Sequence, residues 1–167
     1  MITKQDLIFL LTMELSTTSK VIANVPEGHM DYKPNEIKSN SVEALLKNMI
    51  AEHGMFTTIL KGDQVTNPMA DVPDFSTVAE AVEIYDEKKD AFMATLESTP
   101  EEDFLQPYSL WGMEGTRADV ILGLIRDMIH HRGQLTVYIR LLDGKVPSVY
   151  GPTFDEPMNT TASLFTI

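Results

Sequence analysis

The chain has 167 residues, of which 43% are hydrophobic and 23% charged, and its formal net charge is −12 at pH 7. This length and composition are those of a soluble globular protein, which we expect to form one domain over residues 1–167. Binding to phosphate backbones or anionic lipid requires a basic face, so the charge argues against nucleic-acid and membrane partners.

The chain contains no cysteine, which excludes disulfides, thiolate nucleophiles and Cys-ligated zinc sites. The N-terminal residues Met1–Asp6 lack the basic and then apolar layout of a secretion signal. No apolar run approaches the roughly 20 residues that a membrane-spanning helix needs. We therefore expect a cytoplasmic protein.

Two long helices are predicted in the first part of the chain. The first opens with Thr3 and Asp6, a capping box with Asp in place of Glu, and then carries leucines at helical spacing. A loop rich in polar residues follows. The second helix is predicted to begin near Asn40 or Ser41 and to end at Gly62.

A third helix follows a proline-containing connection. Thr77 and Glu80 supply its capping box. Beyond it, residues 107–115 contain the only tryptophan and are predicted to form an irregular or hairpin excursion.

The fourth helix is capped by Thr116 and Asp119 and is predicted to end at Gly144, a residue suited to the left-handed position after a helix. The sequence shows no strand–helix alternation and no internal repeat. Helices of about 20 residues joined by modest loops predict an all-α fold, a four-helix bundle. In such bundles, sites are built from side chains on facing helices.

Polar side chains interrupt the apolar pattern of the fourth helix. Asp127 and His131 are four residues apart and share one face, and Gln134 continues the same polar ribbon. A buried carboxylate or imidazole without a partner is costly. The ribbon therefore predicts half of a divalent-metal site, an acid/base pair or a structural hydrogen-bond network.

Further candidate residues lie beside this ribbon and on the second helix. Arg132 could pair with an acidic residue of a neighbouring helix, or anchor an anionic substrate through its planar fork. Asn48 and Glu52 share a face, whereas His53 is turned by about 100° from Glu52. A third metal ligand would come from His53 or from the Asn48/Glu52 face. The alternatives are a solvated charge for Glu52 and a boundary position for His53.

Several segments resemble the DinB/YfiT-like superfamily of bacterial four-helix bundles. Residues 130–135, HHRGQL, are similar to the H-H-R-G-Q-[LI] segment of that family. Residues 141–147 (LLDGKVP) and 150–152 (YGP) resemble its C-terminal part. Residues 31–34 (DYKP) and 41–46 (SVEALL) resemble its first loop and second helix. In order and spacing, the resemblance covers nearly the whole chain.

The resemblance implies a metal site made of three histidines, one on the second helix and two at i and i+4 on the last. His131 matches the final ligand, whereas Asp127 and Asn48 stand where the family has the other two histidines. Aspartate is a competent ligand for zinc, nickel, iron or manganese, but asparagine is a poor one. Either His53 replaces Asn48, or the site is degenerate and the metal is absent.

Members of this family include metal-dependent thiol transferases and hydrolases. The resemblance therefore implies metal-dependent chemistry on a small-molecule substrate such as a low-molecular-weight thiol. Asp127 or Glu52 would then handle a proton as the catalytic group, while Arg132 and Gln134 would bind the substrate. The alternative is a non-catalytic bundle whose degenerate metal site binds a small ligand or a protein. The resemblance also implies a homodimer, because relatives pair through helices.

Overall fold

The structure is a computed structural model that describes residues 3–157. Its elements are α1 (Lys4–Ile22), α2 (Val42–Lys61), α3 (Val78–Ser98), the single turn α4 (Glu101–Phe104), β1 (Pro107–Leu110), β2 (Met113–Thr116) and α5 (Arg117–Leu141). The predicted all-α class is confirmed, with one small hairpin added. Within the described part of the chain, no helix is both long and apolar enough to cross a bilayer.

The four long helices surround one hydrophobic core. α1 and α2 each pack against both α3 and α5, so α1 and α2 occupy opposite corners of the bundle. The connection between them crosses to α5, where the Tyr138 hydroxyl donates to the Asn40 carbonyl at 3.1 Å. The Tyr138 ring also meets Tyr32 edge-on, with 5.9 Å between ring centroids. These contacts fix the loop that leads into α2.

Local sequence sets most helix ends where they were predicted. The three capping boxes are present, formed by Thr3 with Asp6 at α1, Thr77 with Glu80 at α3, and Thr116 with Asp119 at α5. In each box, two backbone N–H groups that lack a helical partner are satisfied by side chains. Ser41 caps α2, and Gly62, at φ 82°, ends it in the left-handed conformation.

The predicted end of the last helix at Gly144 is corrected by the structure. α5 ends at Leu141, and the left-handed residue is Asp143, at φ 57°. Aspartate tolerates this conformation better than most residues do. The Gly144 N–H donates to the Ile139 carbonyl at 2.8 Å, the long bond of a Schellman motif. Glycine is needed there because a Cβ atom would lie 2.9 Å from side-chain atoms of Ile139 and Pro26.

The segment predicted as irregular or hairpin is a β-hairpin. β1 and β2 pair antiparallel, and Trp111 and Gly112 form the two-residue turn with φ values of 50° and 85°. Positive φ at both central residues is the signature of a type I′ turn, whose twist matches that of paired strands. The hairpin leads directly into the cap of α5.

A buried ion pair joins α1 to α5. Arg132 is 1% exposed, and its Nη2 lies 2.7 Å from Oε2 of Glu14, which is 8% exposed. Its Nη1 donates to the Glu14 carbonyl at 3.0 Å and to the Thr18 hydroxyl at 3.2 Å. Tyr150 donates its hydroxyl to the same carboxylate at 2.9 Å and accepts a bond from Nη2. One guanidinium thus holds together α1, α5 and the segment that follows α5.

Replacing Glu14 with Ala should lower the free energy of unfolding by about 3–5 kcal/mol, because it leaves the Arg132 charge buried without a partner. Replacing both residues, as Glu14→Leu with Arg132→Met, should restore much of that loss. Urea denaturation followed by circular dichroism measures both changes. Lys47→Ala, which removes the partly exposed ion pairs with Glu43 and Asp74, is the control and should cost at most about 1 kcal/mol. A comparably small loss for Glu14→Ala would contradict the prediction.

Candidate functional site

The ribbon predicted on α5 is present as a row of polar contacts. The Nε2 atom of His131 lies 3.4 Å from Oδ2 of Asp127, and its Nδ1 atom lies 3.0 Å from Oε1 of Gln134. The amide nitrogen of Gln134 is 3.0 Å from Nε2 of His130. The His131 side chain is 15% exposed and that of Asp127 is 58% exposed. The row therefore lies at the edge of the bundle, within reach of solvent.

Gln134 determines which nitrogen of His131 is available. Its NH₂ group points to His130, so its oxygen accepts a hydrogen bond from Nδ1–H of His131. In the neutral ring, Nε2 then carries the lone pair and faces the Asp127 carboxylate, which is also an acceptor. Two acceptors at this distance are stabilised by a proton or a cation between them. The arrangement suits a metal ligand pair or an acid/base pair.

Glu52 of α2 is a buried carboxyl close to this ribbon. It is 2% exposed, and its Oε2 has no hydrogen-bond partner among the described residues. Burial raises the pKa of Glu52 well above its usual 4.5, and the negative charge of Asp127 raises it further. Asn48 lies one turn earlier on α2 and is half-buried. The α2 side of the site thus offers a carboxamide and a carboxyl group that resists ionisation.

His53 lies on a different side of α2. Its ring packs edge-on against Tyr85 of α3, with 4.6 Å between centroids, and also contacts Phe56 and Phe92. Burial lowers its pKa to about 4, so the imidazole is neutral at neutral pH. The rotation of about 100° from Glu52 directs His53 toward α3. The structure does not bring it to the α5 ribbon, so its position does not support the predicted replacement of Asn48.

The spacing of the donor atoms on α5 matches that of two ligands of one metal ion. In tetrahedral geometry, an imidazole nitrogen and a carboxylate oxygen bound to zinc are about 3.3–3.4 Å apart. The separation between Nε2 of His131 and Oδ2 of Asp127 is 3.4 Å. Within residues 3–157, however, no three His, Cys, Asp or Glu side chains form a group that could hold a metal ion. His131 and Asp127 can therefore occupy two ligand positions. Among the described residues, α2 does not supply the His, Cys, Asp or Glu side chain that would complete a group of three.

Arg132 lies in the interior of the bundle, where its contacts connect parts of the fold. Its terminal nitrogens are engaged by Glu14, Thr18 and Tyr150. The structure shows the predicted ion pair with a neighbouring helix, and Arg132, at 1% exposed, is buried among these partners. The sequence reasoning missed Glu14. The sequence could have revealed Glu14, because it is the only charged residue between Leu7 and Ser19 and lies among the buried leucines of α1.

Comparison with known proteins gives the following matches. A model of the DinB family matches residues 1–162. The chain is 29% identical over 90 residues to the uncharacterized protein YrdA of Bacillus subtilis strain 168, covering 53% of this chain and 54% of YrdA. The match thus spans about half the length of that relative.

Two crystal structures have a similar fold. A DinB-like protein from Bacillus cereus ATCC 10987 aligns with a TM-score of 0.73 and 20% identity, over 89% of this chain and 98% of that one. The DinB-like protein YjoA from Bacillus subtilis aligns with a TM-score of 0.70 and 21% identity, over 86% and 96%. At these identities, the likeness concerns the fold alone.

Glu52 should make the stability of the protein fall as the pH rises. Its raised pKa means that, above its usual value of 4.5, the folded chain keeps a proton that the unfolded chain has lost. The free energy of unfolding therefore decreases with pH from about 4.5 up to the raised pKa. Glu52→Gln abolishes this dependence, so the variant should become increasingly more stable than wild type as the pH rises over that window.

Urea denaturation of both proteins between about pH 4 and pH 8 tests this dependence. His53 has the opposite effect, because its pKa is lowered and its contribution to stability grows between about pH 4 and 6.5. Taking the difference between wild type and Glu52→Gln cancels that contribution. Glu87→Gln, at an exposed side chain, is the matched control. A difference that does not change with pH would contradict the prediction.

Proposed function

Because the chain belongs to the DinB family, we propose that it is a metal-dependent enzyme of the thiol-transferase or hydrolase type, acting on a small molecule. The observation that supports this function is the contact between Nε2 of His131 and Oδ2 of Asp127 at 3.4 Å, beside a buried carboxyl group. The proposal places the protein in the cytoplasm, the location predicted from its sequence.

In this proposal, each residue of the site has a distinct task. Asp127 and His131 would hold a divalent ion such as Zn²⁺, Ni²⁺, Fe²⁺ or Mn²⁺, with Asn48 facing it as a weak ligand. When bound, such an ion lowers the pKa of a coordinated thiol or water. Gln134 keeps the proton of His131 on Nδ1 and so leaves Nε2 free to bind.

Glu52 is the candidate proton carrier. Its carboxyl group stays protonated to a higher pH than an exposed glutamate, because it is buried and close to Asp127. A protonated acid can donate to a leaving group and take the proton back in a later step. Arg132 acts indirectly in this scheme, since its bonds to Glu14 hold α5 in place.

A second function is favoured by a specific observation. Asn48 replaces the second-helix histidine implied by the family resemblance, and the described residues contain no three-ligand group. The protein would then be a non-catalytic bundle in which the site has lost its metal and binds a small ligand or a protein. The amount of metal retained by the purified protein separates the two functions.

Untagged protein dialysed against excess Zn²⁺, Ni²⁺, Mn²⁺ or Fe²⁺ and then against buffer should retain close to one equivalent of one metal. His131→Ala and Asp127→Ala should each lower the metal affinity at least roughly tenfold, because even the loss of an outer-shell partner of a metal ligand typically costs about 10–100-fold, and each variant should retain much less metal after dialysis. His29→Ala, which removes an exposed loop histidine, is the control and should leave the metal content unchanged. If wild type and His131→Ala both retain no metal, the enzymatic proposal fails and the second function stands.

We also propose that the protein forms a homodimer through the outer face of α1. Phe9 and Met13 are one turn apart and are 69% and 56% exposed. Between Leu7 and Ser19, the only charge is the buried Glu14, so the central part of this face, which includes Phe9 and Met13, carries no exposed charge. Because each chain has a net charge of −12, the other surfaces of two chains repel each other. Interfaces are depleted in charge and enriched in Phe and Met.

Introducing Phe9→Lys together with Met13→Lys should convert the dimer to a monomer, because four ammonium groups would then face one another across the interface. Light scattering coupled to size-exclusion chromatography reports the mass. Ile37→Lys, a change at an equally apolar residue that is 91% exposed elsewhere, should leave the dimer intact. A wild-type protein that is monomeric at micromolar concentration would overturn this proposal.

A further inference from the structure

The β-hairpin lies along the face of α5 that carries the candidate site. A Cβ atom on Gly115 of β2 would lie 2.9 Å from Cβ of Asp119. A Cβ atom on Gly123 would lie 2.8 Å from Sδ of Met113. Because Asp119, Gly123 and Asp127 follow one another at intervals of four residues, they form one row on α5. The hairpin therefore follows the row that leads to Asp127.

The tip of the hairpin is level with the part of α5 that carries Asp127. From Gly115 to Met113, two residues of β2 span about 6.6 Å, and four residues of α5 span about 6.0 Å. The hairpin and α5 thus advance side by side. The turn of Trp111 and Gly112 extends the hairpin beyond Met113 by roughly one residue, about 3.3 Å. Along the axis of α5, Trp111 therefore lies within one helical turn, about 5.4 Å, of Asp127.

Trp111 is exposed, and its backbone is in an unfavourable conformation. The side chain is 65% exposed and makes no aromatic or cation–π contact with the described residues. Its φ of 50° is in the left-handed region, which is uncommon for a bulky residue. Type I′ turns favour Asn, Asp or Gly at this position. Neither the core nor the turn accounts for a tryptophan there, and such strain is concentrated at functional sites.

The hairpin is fixed to both helices that carry the candidate site. Leu110, which precedes the turn, is 4% exposed and belongs to the core. The Tyr108 hydroxyl donates to the carbonyl of Asp63, just beyond the end of α2, at 2.6 Å. Met113 packs against α5 at Gly123. These contacts hold the tip, and with it the backbone of Trp111, in a defined place relative to α2 and α5.

We propose that Trp111 forms one wall of the candidate site and selects small molecules that carry a flat apolar group, such as a phenyl ring. The inference rests on the proposed function, because the other end of the ligand would meet the ion held by Asp127 and His131. An indole ring offers a large apolar surface and stacks on other rings. Trp111 thus determines specificity and takes no part in proton transfer.

The test is calorimetric titration of the metal-loaded full chain with benzohydroxamate and acetohydroxamate. These two metal chelators differ only in a phenyl group against a methyl group. Wild type should bind benzohydroxamate at least roughly tenfold more tightly, because the phenyl ring is buried and stacked on the indole. Trp111 is the only tryptophan of the chain, so its fluorescence should change saturably over the same benzohydroxamate concentrations. His131→Ala, which removes a proposed metal ligand, should bind both probes much more weakly.

Substitutions of Trp111 separate ligand contact from a structural role. Trp111→Asn should abolish the preference for benzohydroxamate and leave the metal content unchanged. Because this change supplies the Asn-Gly pair that type I′ turns favour, urea denaturation should show a stability no lower than that of wild type. Trp111→Phe keeps an aromatic ring and should retain most of the preference. Phe154→Asn, at an aromatic residue that is 91% exposed elsewhere, is the control and should bind both probes as wild type does.

The outcomes distinguish a failure of this inference from a failure of the proposed function. A chain that retains no metal overturns the proposed function and the inference with it. Retained metal with equal affinity for the two hydroxamates overturns the inference alone. The same holds if the preference survives in Trp111→Asn, if that variant is less stable than wild type, or if His131→Ala binds benzohydroxamate as wild type does.

Discussion

The buried contact between Glu14 and Arg132 fixes the rotation of the last helix. The guanidinium points into α1, where the carboxylate, a carbonyl and the Thr18 hydroxyl receive its N–H groups. Neighbouring residues on a helix are about 100° apart, so once Arg132 faces α1, His131 must face elsewhere. It lies beside Asp127, whose charge acts on Glu52 of α2. The contact between Glu14 and Arg132 lies outside the candidate site, but it determines the direction in which the side chains of that site point.

The site itself combines groups whose pairing is incomplete. His131 and Asp127 meet through two acceptor atoms, and one oxygen of the buried Glu52 has no partner among residues 3–157. A buried polar atom without a partner in the described part of the chain, such as Oε2 of Glu52, lowers the stability of the fold, whereas the side chain of Asp127 is 58% exposed and reaches solvent. Their position between α2 and α5 agrees with the way bundles build sites from facing helices. Nε2 of His53 is likewise buried without a partner among the described residues.

The sequence predicts what depends on residues that are close along the chain. Capping boxes, the left-handed Gly62 and the i, i+4 pair on α5 follow from local geometry, and the structure contains all of them. The partner of Arg132 lies 118 residues away and is set by packing. The direction of His53 depends on which helix lies beside α2. Similarly, helix periodicity does not distinguish Asp143 from Gly144 as the left-handed residue.

The most direct test of the site is the protonation of the His131 ring, observed by ¹⁵N NMR of the imidazole nitrogens. In the neutral ring, the proton should reside on Nδ1, held by Gln134, and the bare Nε2 should shift when Zn²⁺ is added. Gln134→Ala should reduce this preference for Nδ1–H. A neutral ring protonated on Nε2, with signals that do not respond to Zn²⁺, would contradict the assignment of Asp127 and His131 as a metal-binding pair.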